Sequence, residues 1–175
     1  MNFKLKPLFL SALLIIFVSC TSWQEPAAMS DEEPGIFPDY SGVTVPANIA
    51  PMNFMVEGAA GIQAVFYVGD REVTRVRGQE VVSVPQKKWE GLLSMALGTS
   101  VLVEVSVWND EHPDGLRYKP FEIYIACEET DPWIAYRLIE PGYVGWRQLG
   151  IYQREISAFD ESAIVTNKES NTTCL

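Results

Sequence analysis

Histidine and cysteine are scarce in this chain, and their scarcity excludes most metal and nucleophilic chemistry. The 175 residues include one histidine, His112, and three cysteines. A structural zinc site takes four Cys or His ligands, so the sequence predicts no metal site. A Ser-His-Asp triad would depend on His112, and no Gly-x-Ser-x-Gly turn is present to carry a serine. We therefore predict no catalytic residues and a protein that is not an enzyme.

Lysine and arginine are also few beside the acidic residues. The chain has 13 Lys and Arg against 23 Asp and Glu, which gives a formal net charge of −10. Nucleic-acid-binding proteins neutralise phosphates with basic side chains, and no basic stripe occurs in this sequence. The acidic residues are spread along the chain, which is typical of a solvated surface. The composition therefore excludes nucleic acid as an expected partner.

The apolar run at the start of the chain is too short to cross a membrane. It extends from Leu8 to Val18 and follows the basic residues Lys4 and Lys6. A membrane-spanning helix takes about 20 apolar residues. A basic segment followed by a short apolar run is instead typical of a secretory signal peptide.

A cysteine stands at the end of this run. The tetrapeptide Phe17-Val18-Ser19-Cys20 resembles a bacterial lipobox, in which a small residue precedes the cysteine that becomes lipidated and N-terminal. The resemblance implies a signal peptide at residues 1–19 and lipid on Cys20; the alternative is an ordinary secretory signal that is cleaved nearby. Lipid chains on Cys20 would supply the two hydrophobic anchors that stable membrane attachment requires. We expect a lipid-anchored protein of the cell envelope, at the outer membrane and facing the periplasm or the cell surface.

The mature chain would be more acidic and would keep two cysteine thiols. Removal of residues 1–19 takes away Lys4 and Lys6 and no acid, so the formal charge moves from −10 to −12. With Cys20 lipidated, Cys127 and Cys174 would remain in an oxidising compartment. Sequence does not test the geometry of a disulfide, so their pairing stays open.

Residues 20–46 are rich in Pro, Ser, Gly and acids and show no apolar periodicity. Such a composition is typical of a flexible segment that buries too little apolar surface to fold. We therefore predict a tether that holds the following domain away from the lipid surface.

Residues 47–128 form a mostly β domain by their pattern. Gly69-Asp70 stands between two β-rich segments and predicts a tight hairpin. Apolar residues then recur at helical spacing, with Pro85 before them and Gly98 after them, which predicts a helix from Gln86 to Leu97. The apolar residues of this helix are Trp89, Leu92, Leu93, Ala96 and Leu97.

Two segments with strict alternation follow the helix. The residues that share one face are Val101, Val103, Val105 and Val107 in the first segment, and Phe121, Ile123, Ile125 and Cys127 in the second. This spacing predicts that Cys127 is a buried thiol on the core face. The segment between them has turn chemistry and places His112 in a solvated loop. Six or seven short strands predict a mainly β fold, a sandwich of immunoglobulin or fibronectin type with one short helix.

Residues 129–175 differ from the preceding domain in their density of aromatic side chains. We predict strands at 133–140, 151–156 and 163–166. So short a segment could hardly bury these rings alone. Two interpretations stay open: the segment packs against the sandwich, or it is the first part of a second domain. The aromatic residues are Trp133, Tyr136, Tyr143, Trp146, Tyr152 and Phe159.

Three stretches carry a resemblance to a known family. They are "FPDYSGVTVPANIAPMNFMVEG" (Phe37–Gly58), "DPWIAYRLIEPGYVGWRQLGIYQREISAFDE" (Asp131–Glu161) and "NKESNTTC" (Asn167–Cys174). They resemble the N-terminal part of Gram-negative lipoproteins with a TolB-like β-propeller, some of which are labelled as cytochrome c biogenesis proteins. The resemblance implies that residues 129–175 are a linker or the truncated start of a propeller.

In that family the third stretch continues into a Cys-x-x-Cys-His motif that attaches haem. Covalent c-type haem needs two thiols and an adjacent histidine ligand. Here Cys174 supplies the first thiol of the motif, and the second cysteine and the histidine are absent. The resemblance therefore implies haem c for full-length relatives and no cofactor in this chain.

Two classes of function follow for a protein without catalytic residues. The first is an interaction module, anchored to the membrane, whose aromatic side chains contact a protein or a propeller domain. Its candidate surface residues are Trp108, Trp133, Tyr143 and Trp146. The alternative is a carbohydrate-binding module, in which Trp108 or Trp146 is a flat platform for sugar rings. Both tryptophans could instead be packing residues.

Overall fold

The computed structural model describes residues 24–138 and 150–166. Within these ranges the chain is mainly β, with thirteen strands in three sheets and one short helix. The strands are β1 (Ala28–Met29), β2 (Ile36–Phe37), β3 (Thr44–Val45), β4 (Phe54–Val56), β5 (Gly61–Val68), β6 (Arg71–Gly78), β7 (Val81–Val82), β8 (Ser100–Trp108), β9 (Leu116–Arg117), β10 (Phe121–Ile125), β11 (Trp133–Leu138), β12 (Gly150–Glu155) and β13 (Glu161–Thr166). The helix is α1 (Gln86–Met95).

The largest sheet, which we call the main sheet, is built around β8. One edge of β8 pairs with β5, which pairs in turn with β6, and all three run antiparallel. The other edge of β8 pairs with β10 near its start and with β9 near its end. Two short strands extend this side, because β3 pairs in parallel with β10 and β1 pairs in parallel with β9.

A second sheet and the helix cover one face of the main sheet. The small sheet is antiparallel and has the order β2-β4-β7. Its Phe54 ring meets Phe121 of the main sheet edge to face at 6.3 Å, and Trp89 of α1 meets Phe66 in the same manner at 6.4 Å. The core therefore lies between the main sheet on one side and the small sheet with α1 on the other.

The alternation read from the sequence decides which side chains enter this core. The valines at 101, 103, 105 and 107 of β8 are all buried, as predicted. Ile62, Ala64 and Phe66 of β5 stand opposite Val107, Val105 and Val103 and are fully buried with them. Since side chains alternate between the two faces of a strand, the register of β5 against β8 places both apolar sets on one face.

The helix is confirmed, and it ends earlier than predicted. Trp89, Leu92 and Leu93 are buried in the core, and Ala96 is buried there too. Leu97 is 50% exposed, so its predicted place on the apolar face is wrong. The reason is that α1 ends at Met95, and beyond that residue the helical spacing no longer determines where a side chain points.

Gly91 is an interior residue of α1 whose replacement is expected to stabilise the protein. A Cβ atom at this position would meet no atom within 4 Å. Because glycine is about 0.8–1.0 kcal/mol less favourable than alanine inside a helix, Gly91→Ala should raise the free energy of unfolding by about that amount. Urea denaturation followed by circular dichroism measures it. Gly98→Ala is the control with the opposite sign, since its Cβ would lie 2.7 Å from Cys127 Sγ and its φ is +69°. A loss of stability in Gly91→Ala would contradict the prediction.

The hairpin predicted at Gly69-Asp70 joins β5 and β6. Val68 and Arg71 are the closing pair, which leaves a two-residue turn. Gly69 has a φ of +56°, and no other residue type in the described chain has a positive φ. A positive φ at the first turn position alone is typical of a type II′ turn, which favours glycine there.

The tether predicted over residues 20–46 is corrected from residue 24 onward. Strands β1, β2 and β3 all lie in this segment and pair with the domain. The Ser30 N–H donates to the Arg117 carbonyl at 2.8 Å, and Glu25 forms an ion pair with the Arg117 guanidinium at 2.7 Å. Pairing through the backbone needs no apolar periodicity in the side chains, so the sequence pattern did not indicate these strands.

Cys127 is also corrected. Phe121, Ile123 and Ile125 are buried as predicted, but Cys127 is exposed. Strand β10 ends at Ile125, and the alternation of faces ends with it. The question of a disulfide to Cys174 lies outside the described residues.

A membrane-spanning helix is absent from residues 24–138 and 150–166, since no helix there is long and apolar enough.

Candidate interaction surface

The last three strands form a sheet of their own, which we call the C-terminal sheet. It is an antiparallel meander in the order β11-β12-β13. The strands predicted at 133–140, 151–156 and 163–166 correspond to these elements, and residues 139–140 lie outside the described part of the chain. Pairing places Tyr136 opposite Tyr152 and Ile151 opposite Val165.

Side chains of the C-terminal sheet are exposed on both of its faces. Trp133 keeps 53% of its surface in solvent, and Phe159, in the turn before β13, keeps 56%. Aliphatic side chains accompany them. The exposed aliphatic residues of this sheet are Ile134, Leu138, Ile151, Ile164 and Val165. The core cluster ends with Ile125 and includes no described residue of this sheet.

One face of the C-terminal sheet carries a polar and aromatic network. The rings of Tyr136 and Tyr152 stack with centroids 6.4 Å apart. The Tyr136 hydroxyl donates a hydrogen bond to the Glu161 carboxylate. This hydrogen bond, followed by desolvation, raises the pKa of Tyr136 above its usual value. The Arg154 guanidinium lies 5.9 Å from the centre of the Phe159 ring, within reach of a cation–π contact. Contacts between side chains therefore connect the strands of this sheet to one another.

Hydrogen bonds attach the C-terminal sheet to the rest of the chain. The Asn48 side chain donates to the Thr130 carbonyl at 2.9 Å and accepts from the Thr130 N–H at 3.1 Å. The Ala50 N–H donates to the Ile156 carbonyl at 2.8 Å, and the Gln86 amide donates to the Ser157 carbonyl at 3.0 Å. These contacts fix the position of the sheet without burying its apolar residues.

Two of the four predicted surface residues, Trp108 and Trp133, lie in the described ranges, and of these Trp133 is exposed. Trp108 is half-buried at the end of β8, and its indole lies against Gly115. A Cβ atom at position 115 would come within 2.6 Å of Trp108 Nε1, so a side chain there would displace the ring. This environment supports a packing role for Trp108 over a flat sugar platform. Trp108 belongs to the main sheet and Trp133 to the C-terminal sheet.

The other predicted site residues lie outside the described part of the chain. Tyr143 and Trp146 fall between β11 and β12, Cys20 precedes residue 24, and Cys174 follows residue 166. Sequence reasoning concentrated on aromatic residues and missed the exposed aliphatic ones. The alternation within β11 could have indicated Ile134 and Leu138 because they share a face with Tyr136.

Titratable residues in the described ranges make no cluster of metal-binding type. No group of three or more His, Cys, Asp or Glu side chains there could hold a metal ion. His112 lies in the turn between β8 and β9, where its backbone N–H donates to Asn109 Oδ1 at 2.8 Å. The position in a turn agrees with the sequence. The absence of catalytic and metal-binding residues stays a prediction.

Comparison of the chain with protein-family models, with curated proteins and with solved structures gave no match.

Proposed function

We propose that this protein is a non-catalytic lipoprotein module, anchored to a membrane of the cell envelope, that binds a protein partner through its C-terminal sheet. The observation that carries this proposal is the exposure of Trp133, Phe159 and the five aliphatic side chains of this sheet, none of which belongs to the core. Contiguous apolar patches on a soluble surface mark interaction sites. Aromatic side chains are enriched at the centres of protein interfaces.

The strand edges of the C-terminal sheet support the same function. Within the described ranges, β11 and β13 each pair with β12 alone, so each has an edge without a neighbouring strand. Such an edge presents a row of backbone N–H and C=O groups that can pair with another strand. A partner with a β-rich surface would satisfy these groups and cover the apolar side chains together.

The architecture that we propose is an immunoglobulin- or fibronectin-like sandwich followed by the start of a β-propeller. The core between the main sheet and the small sheet with α1 supports the first part. A propeller blade is a four-stranded antiparallel sheet, and β11–β13 would supply three successive strands of one. In longer relatives of the resembled family, this module would precede a haem-bearing propeller.

Residues 1–175 do not contain a complete motif for covalent haem. Attachment takes a Cys-x-x-Cys-His motif, and the sequence has a single histidine, His112, far from Cys174 in the chain. In the structure His112 belongs to the turn that precedes β9. No haem chemistry is therefore proposed for this chain.

The anchoring part of the proposal has a direct test. Cys20→Ser should move the protein from the membrane fraction to the soluble fraction, because the proposed membrane attachment is through lipid chains on Cys20. Immunoblotting of the separated fractions measures the shift. Cys127→Ser is the matched control and should stay with the membrane, since Cys127 lies in the folded domain.

An uncleaved signal peptide would also hold the Cys20→Ser variant at the membrane. N-terminal sequencing distinguishes this case, because an unprocessed chain begins at Met1. Membrane retention of a correctly processed Cys20→Ser chain would refute lipid anchoring at this cysteine.

A further inference from the structure

A second surface lies between strand β6 and helix α1, and no described residue of the C-terminal sheet lines it. The two elements border an open cleft of about 470 Å³. Thr74 and Arg75 of β6 line one side, and Lys87, Lys88 and Met95 of α1 line the other. Strand and helix thus form the two walls of a groove.

The wall formed by β6 is a sheet edge. Strand β6 pairs with β5 on one side, and in the described residues no strand pairs with its other side. Apart from pairing with β5, the residues from Arg71 to Val76 make no backbone hydrogen bond to another described residue. The backbone groups along this edge are therefore able to receive an additional strand.

The cleft also contains a buried hydroxyl without a partner. Thr74 is 5% exposed, and its Oγ1 has no hydrogen-bond partner among residues 24–138 and 150–166. Leaving a buried polar group unsatisfied costs about 1–3 kcal/mol, and native proteins satisfy most such groups. Thr74 is thus a polar residue at the wall of the cleft whose hydroxyl is unsatisfied among the described residues.

The charge of the cleft opposes that of the whole protein. The formal net charge of the chain is −10, yet the cleft is lined by Arg75, Lys87 and Lys88. Glu72 pairs with Arg75 at 2.9 Å and neutralises that guanidinium. Neither lysine forms an ion pair within residues 24–138 and 150–166. The cleft therefore attracts an anionic ligand.

The helical wall leaves room for such a ligand. Gly91 lines the cleft, and the space where its Cβ would lie is open. Alanine would be the better helix former at this position, so the glycine costs stability and keeps the cleft wide. Met95 is 43% exposed at the same wall and offers an adaptable apolar contact.

We propose that this cleft binds an extended acidic peptide segment of a partner protein, which adds to the free edge of β6 as a further strand. Backbone pairing with β6 would supply affinity, and Lys87 and Lys88 would select acidic side chains. The ten residues of α1 span about 15 Å, which corresponds to four or five residues of a strand at about 3.3 Å each. This site is independent of the C-terminal sheet and goes beyond the function proposed for it.

The test is selection of peptide ligands from a displayed library of random dodecapeptides, with the full chain as the target. Selected peptides should carry Asp or Glu at alternate positions. Fluorescence anisotropy with a synthesised selected peptide should show at least tenfold weaker binding to the double variant K87E/K88E. Lys119→Glu, the same type of substitution at one position outside the cleft, should leave the affinity within twofold.

Two further measurements separate strand addition from simple charge attraction. Peptide binding should slow amide hydrogen exchange in β6 and leave exchange in β13 unchanged. Gly91→Gln introduces a better helix former and fills the cleft, so it should abolish binding without loss of helical circular dichroism. Failure to select any peptide would overturn the proposal. Peptide binding that the variants do not weaken, or that does not slow exchange of the β6 amides, would overturn it as well. If Trp133→Ala abolishes peptide binding and the cleft variants do not, the proposal is also overturned. The C-terminal sheet would then be the peptide-binding surface.

Discussion

Replacing Trp89 by alanine is expected to lower the free energy of unfolding by about 3–5 kcal/mol, the usual cost of removing a large aromatic side chain from a core. Trp89 is fully buried, and its ring meets Phe66 of the main sheet at 6.4 Å. Its indole N–H also donates to the Ile49 carbonyl at 2.9 Å. The variant would lose the cavity-filling ring and leave that carbonyl without its donor. Since domains of this size are stable by about 5–15 kcal/mol, the effect is large.

Urea denaturation monitored by far-ultraviolet circular dichroism measures this loss without depending on tryptophan fluorescence. Trp133→Ala is the matched control, because it removes the same side chain from a position that is 53% exposed. Its free energy of unfolding should change by no more than about 0.5 kcal/mol. A similar loss in both variants would mean that Trp133 belongs to the cooperative core, which would contradict the exposure of the C-terminal sheet.

Removal of the C-terminal sheet is expected to change the association state of the protein. A chain of residues 21–129 should sediment as a monomer, whereas residues 21–175 should self-associate. The physical reason is that the longer chain carries the exposed apolar side chains of the C-terminal sheet and its free strand edges. Among the described residues, the core cluster ends with Ile125 and includes none of that sheet. Sedimentation velocity at a series of concentrations measures the difference.

Hydrogen exchange of the longer chain provides a second test of the same division. Amides of β11, β12 and β13 should exchange faster than those of β8 and β10, because few contacts besides hydrogen bonds hold the C-terminal sheet in place. A shorter chain that is insoluble, together with equal protection throughout the longer one, would mean that the aromatic segment completes the core. The interaction surface proposed for it would then be withdrawn.

The two surfaces differ in the chemistry that they offer to a partner. The C-terminal sheet presents aromatic and aliphatic side chains, and the cleft between β6 and α1 presents two lysines and an unpaired strand edge. Cationic side chains beside a free strand edge also discourage association with identical chains. This arrangement favours an acidic partner segment over pairing of β6 with the same strand of a second chain.

The amino-acid sequence determined by itself the elements whose side chains enter the core. Valines at every second position of β8 predicted one buried face, and the helical spacing of Trp89, Leu92 and Leu93 predicted the buried face of α1. Gly69-Asp70 predicted the turn between β5 and β6. These features are local, because side-chain periodicity and glycine conformation act within a few residues of one another.

Only the tertiary structure decided what each of these elements contacts. The short strands β1, β2 and β3 join the domain through backbone hydrogen bonds, which leave no periodic trace in the side chains. Trp108 and Trp133 are the same residue type in the sequence. In the structure the ring of Trp108 packs against Gly115, whereas Trp133 is exposed to solvent. Likewise, β6 and α1 leave a cationic cleft because the pairing order of the main sheet makes β6 an edge strand. Pairing and burial depend on residues that are distant in the chain, and a local pattern does not contain them.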